Sequence, residues 1–150
     1  MPIKKNHIPK VSVHPPDLES GTSQPFVSHG VKAGFPSPAL DFMEYKIDLN
    51  KVVSDRNPLA TFYIKVDGNS MTGAGIDDGD ILVTDRSLEP ADGKIAVCLI
   101  DGEFTVKRLK IDTDCLYLMP ENPDYPPVKV TEDNQFVIWG IVTYIIKKVG

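Results

Sequence analysis

The sequence predicts a mostly β protein, a folded sheet or partly open barrel with a flexible N-terminal arm and one short helix. Three observations point there. From about residue 60 onward, short apolar or alternating runs are separated by Gly, Asp, Pro and Asn turn signals. Only one stretch, before those runs, carries apolar residues at helical spacing. The first 36 residues have a different composition, rich in Pro, Ser and Gly.

Residues 1–36 include "VSVHPPDLESGTSQPFVSHGVKAGFP". Proline fixes φ and removes a donor, so this arm reads as extended and only partly ordered, and on composition alone as a mere tail. In "SPALDFMEYKIDLNKVV", Ser37 can cap a helix and Pro38 suits its first position. Leu40, Met43 and Ile47 share one face, and the helix should end near Asn50. Strands follow in "ATFYIKVD", "DILVT" and "GKIAVCLI". "DGE" (Asp101 to Glu103) is a hairpin signal, and "FTVKRLK" is the returning strand. "CLYLMP", "PVKV" and "QFVIWGIVTYIIKKV" complete the set, with Gly140 marking a bulge or bend in the last.

With 150 residues the chain forms one domain with a real core. The organisation expected is an arm over 1–36 and a folded domain over 37–150. A net charge of −5 argues against a protein whose main task is gripping phosphate backbones, though not against one that acts beside DNA as a protein's partner. Cys98 and Cys115 lack CxxC spacing, and His7, His14 and His29 all lie in the arm, so no metal site is expected. Two cysteines without a pairing pattern suit a reducing cytoplasm. The N-terminus has no apolar h-region, and no run of about 18 apolar residues exists, so a soluble cytoplasmic protein is expected. "DDGD" (Asp77 to Asp80) lacks the spacing of a calcium loop and reads as turn material.

The chemistry centres on "IKVDGNSMTGAGIDDGDILVTDRS" and "EFTVKRLK". Strand alternation puts Phe104 and Val106 on one face, and Thr105, Lys107 and Leu109 on the other. An ammonium among aliphatic neighbours is costly, so burial lowers a lysine's pKa toward neutrality. Such an amine can take a serine's proton, giving a Ser–Lys pair without histidine. With every histidine in the arm, Lys107 is the candidate base for Ser70. Gly68 and Met71, flanking Ser70, are the candidate turn and oxyanion support, because glycines let backbone N–H groups come close. Plainer alternatives stand beside these: Ser70 capping a turn, and Lys107 snorkelling to solvent from an edge strand.

"GNSM", "GIDDGDILVTDRS", "GKIAVCLIDGEFTVKRL" and "MPENPDY", in that order and spacing, resemble the LexA/UmuD family of self-cleaving serine proteases, most of all its UmuD branch. The resemblance runs from about Val31 to the C-terminus. It implies a mostly β fold shared with signal peptidases, homodimers, no cofactor, Ser70 as nucleophile and Lys107 as general base. "KAGFPSPALDF" resembles the family's cleavage region, which puts the scissile bond at Ala33-Gly34, with Val31 as an apolar anchor. Ala before Gly is a pair associated more with LexA-like repressors, UmuD proteins often having Cys-Gly. The resemblance further implies autocleavage stimulated by a RecA filament on single-stranded DNA. The product, Gly34 to Gly150, would then serve a UmuC-like Y-family polymerase as an accessory subunit in translesion synthesis.

Three other readings compete. A LexA- or phage-type repressor needs a helix-turn-helix ahead of the scissile bond, and the proline-bearing 33 residues there show no amphipathic helix pair, so no direct sequence-specific DNA binding is expected. A signal peptidase shares the Ser–Lys pair but needs a membrane anchor. A catalytically silent dimeric binding module would keep the fold and ignore the loss of Ser70.

Overall fold

The computed structural model describes residues 13–14, 24–27, 33–34, 43–54 and 57–150. Among the described residues ten strands run in order: β1 (Val13–His14), β2 (Gln24–Val27), β3 (Met43–Ile47), β4 (Thr61–Lys65), β5 (Ile81–Asp85), β6 (Ile95–Ile100), β7 (Glu103–Ile111), β8 (Leu116–Met119), β9 (Val128–Val130) and β10 (Phe136–Ile146). A single α-helix among the described residues, α1 (Leu49–Ser54), follows β3. Eight strands form one antiparallel sheet in the order β1-β4-β5-β10-β6-β7-β8-β9, and β2 pairs with β3 separately. The sheet does not close, as expected of a folded sheet or open barrel.

Every strand expected from Thr61 onward is present. "GKIAVCLI" reads as one apolar run because β6 is covered on both faces. Val97 belongs to a cluster with Ile64, Met71, Ile76 and Leu82, whereas Ala96 and Cys98 belong to another with Leu109, Leu118 and Ile141. Asp101 and Gly102 carry φ of 48° and 81° between the paired Ile100 and Glu103, the two-residue turn that the right-handed strand twist favours. At Gly140 the register against β6 shifts, and a Cβ there would stand 2.5 Å from the Thr84 methyl, so the bulge needs glycine.

The helix expectation is corrected. Met43–Ile47 is strand β3, not helix, and the helix begins later, at Leu49. Leu40, Met43 and Ile47 fit a helical period, but pairing with Gln24–Val27, distant in sequence, decides the conformation of the last two. The cap belongs to Asp48, whose Oδ1 accepts the Asn50 N–H at 3.0 Å. Ser37, Pro38 and Leu40 lie outside the described residues, as do Val31, His7, His29 and most of the arm. The described parts of the arm include two strands, β1 on β4 and β2 on β3.

Candidate functional site

Ser70 sits on the loop between β4 and β5, and that loop is fastened at every side. Its neck is closed by Val66 N–H donating to the Asp80 carbonyl (2.8 Å) and Gly79 N–H to the Val66 carbonyl (2.9 Å). Gly68, at φ 106°, donates its N–H to Asp78 Oδ1 at 2.8 Å. Met71 and Ile76 are buried pegs in the core. On the far side Glu121 N–H donates to the Ser70 carbonyl (2.8 Å) and Gly73 N–H to the Glu121 carbonyl (2.7 Å). Asn122 Nδ2 reaches the Asn69 carbonyl at 2.8 Å. A Cβ on Gly73 would lie 2.5 Å from the Glu121 oxygen, so only glycine allows this approach.

Lys107 comes from β7, opposite Ala96 of β6 and two register positions from Cys98, which pairs with Thr105. Both β6 residues are fully buried. Its ammonium donates to Ser70 Oγ at 2.9 Å, Thr105 Oγ1 at 2.8 Å and the Val106 carbonyl at 3.1 Å. These three neutral acceptors also suit a neutral amine, which can donate two bonds and accept the third from the serine hydroxyl. Burial holds the Lys107 pKa below the usual lysine value, with Cys98 opposing weakly. Burial likewise pushes the Cys98 thiol up to about 12.

Ser70, Lys107, Gly68 and Met71 are thus brought together in one small region. Ser70, Met71 and Gly68 line a cleft of about 90 Å³ with Ile64, Phe104 and Val106. Gly68 shapes the turn, since Asp78 takes its N–H. Among the described residues, no hydrogen bond takes the Met71 N–H. Ala33 and Gly34 form an exposed bend and are not among the residues lining this cleft.

Sequence reasoning missed Thr105, although its place two residues before Lys107 on the same strand face was visible. It also missed Glu121 and Asn122 of "MPENPDY", and Arg108, whose Nε meets Glu121 Oε1 at 2.5 Å. Asp77 and Asp80 of "DDGD" are more than turn material, for both accept from Lys147. Among the described residues no group of three His, Cys, Asp or Glu could hold a metal ion, and no helix is long and apolar enough to cross a membrane.

The profile of the family described as Peptidase S24-like matches residues 25–143. The chain belongs to this family. Protein MucA of Salmonella typhimurium is 44% identical over 124 residues, covering 81% of this chain and 83% of MucA. Protein ImpA of Salmonella typhimurium is 38% identical over 134 residues, covering 89% and 90% of the two chains. The LexA repressor of Stenotrophomonas maltophilia is 41% identical over 99 residues, 64% of this chain and 47% of the repressor. The match to the Peptidase S24-like family spans β2 to β10 and includes both Ser70 and Lys107. The resemblance to the LexA/UmuD family therefore holds, and with it the kinship to self-cleaving serine peptidases.

Proposed function

We propose that this chain is a UmuD-like protein of the DNA-damage response that cuts itself between Ala33 and Gly34. The observation that carries this reading is the 2.9 Å contact between Lys107 Nζ and Ser70 Oγ, made by a lysine whose burial favours the neutral amine. Neutral Lys107 takes the hydroxyl proton as Ser70 Oγ attacks the Ala33 carbonyl carbon. The Met71 N–H stabilises the oxyanion in this reading, which the serine's fixation through its own carbonyl supports. The Lys107 ammonium then gives its proton to the Gly34 nitrogen as the C–N bond breaks. Water attacks the resulting ester, Lys107 takes its proton, and Ser70 leaves with that proton restored. Thr105 Oγ1 fixes the amine through both half-reactions.

In this reading residues 1–36 are the arm that carries the substrate bond, and 37–150 the protease and dimerisation domain. Ile81, Tyr144 and Ile146 are exposed and share one face where β5 and β10 pair, an apolar surface that suits a homodimer. A RecA filament on single-stranded DNA stimulates the cut, and the Gly34–Gly150 form assists a UmuC-like translesion polymerase in the cytoplasm. Similarity to MucA, ImpA and LexA supports this assignment.

Intact mass against pH tests it, for the unmodified chain, Ser70→Ala and Lys107→Ala. The unmodified chain is expected to split after Ala33 as pH rises through the lowered Lys107 pKa, and faster with RecA filaments. Each variant should lose at least about a hundredfold in rate. Intact mass at all pH values, with and without filaments, would leave a binding module on a protease fold.

A further inference from the structure

Strand pairing brackets the bond that the proposed self-cleavage breaks. β2 precedes Ala33-Gly34 and β3 follows it, and the two pair at four positions, from Gln24↔Ile47 to Val27↔Met43. Earlier still, β1 pairs with β4 at Val13↔Ile64 and His14↔Tyr63, on the outer edge of the large sheet. The two seats are tied to each other, because Tyr63 of β4 donates its hydroxyl to Asn50 Oδ1, in the first turn of the helix that β3 feeds. None of these bonds runs through the peptide link between 33 and 34. Ala33 and Gly34 are both exposed, so the carboxylate and ammonium created by a cut are solvated where they form.

We infer that cleavage nicks the chain without discharging its N-terminal piece. Residues 1–33 stay as a non-covalent strand donor, held at β3 and at β4, and their departure is a second step. This rests on the self-cleavage reading for its biological occasion, though the retention itself is a property of the strand pairing. Two seats on one fragment act together, since release of either leaves the other holding it at high effective concentration. Departure bares the edge of β4 at Tyr63–Ile64, and Ile64 itself lines the Ser70 cleft. An unpaired sheet edge accepts an extended strand, so the processed protein's partner at this place is an extended peptide segment that replaces β1.

The test separates retention from self-cleavage. A Ser70→Ala chain, with a site-specific protease sequence replacing residues 29–36, is cut by added protease and passed over a gel-filtration column. Co-elution of the fragment with the body, and amide exchange at Tyr63–Ile64 that stays slow until the fragment leaves, are expected. The same chain carrying Val13→Pro and His14→Pro should shed the fragment about tenfold faster, the loss of one or two backbone hydrogen bonds. Tyr63→Phe, a milder change, should shed it faster to a smaller degree. Immediate loss of the fragment after the cut overturns the inference. Equal retention by the proline form, with slow exchange in β6 and β10 proving it folded, overturns the assignment of β4 as a seat.

Discussion

Two lysines fasten the two ends of the loop between β4 and β5, and their surroundings drive them in opposite directions. Lys107 meets the Ser70 end. Its three contacts are a serine oxygen, a threonine oxygen and a carbonyl, with no carboxylate among them, and burial lowers its pKa. Lys147 meets the Asp77–Asp80 end, at 2.6 and 2.5 Å from the two carboxylates. Asp77 and then Asp80 raise its pKa. Burial pushes the Asp80 carboxyl up, yet hydrogen bonds from Lys147 and the Asp77 N–H outweigh it and hold the group below its usual range. A lysine given carboxylates becomes a permanent cation and a strut. A lysine given hydroxyls and aliphatic walls can surrender its proton, and only that kind can serve Ser70.

The sharpest way to break this contrast is to give Lys107 a carboxylate. Thr105→Asp should hold the amine as ammonium, so self-cleavage at neutral pH falls by at least about tenfold and the rate profile moves to higher pH. A profile that does not move would mean that Lys107 is not the group being titrated.

A smaller effect is expected from Lys147→Met. In the unmodified protein the Asp80 contribution to stability is full above the ordinary carboxylate pKa and lost as pH falls through its lowered value. The Lys147 contribution is full below the ordinary lysine value and lost as pH rises through its raised one. Without Lys147, burial dominates at Asp80, so acid unfolding should begin at higher pH and the alkaline limb should flatten. Urea midpoints across pH measure both limbs.

Cys98→Ala should change least. A thiol pushed up to about 12 is uncharged wherever Lys107 titrates, so the cleavage profile should keep its midpoint. A downward shift would show that Cys98 ionises beside Lys107.

The strands from Thr61 onward were legible because each signal is local: alternation in "ATFYIKVD", a two-residue turn at Asp101–Gly102, a glycine at the bulge. Met43–Ile47 was misread because its partner, Gln24–Val27, leaves no mark in the segment itself. Ser70 and Lys107 were legible by residue type and company. The brace made by Glu121, Asn122 and Arg108 was not, since it exists only once the β8–β9 connection folds against the serine loop.

That brace closes a circuit. The Glu121 N–H holds the Ser70 carbonyl, the Glu121 carboxylate holds Arg108, Arg108 adjoins Lys107, and Lys107 returns to Ser70 Oγ. In mechanical terms it is a linkage with no loose joint, so the spacing of Ser70 Oγ and Lys107 Nζ is a dimension of the body. On the proposed reading, what stays adjustable is the presentation of the arm, so the clock of such a device would lie in the feed and not in the blade.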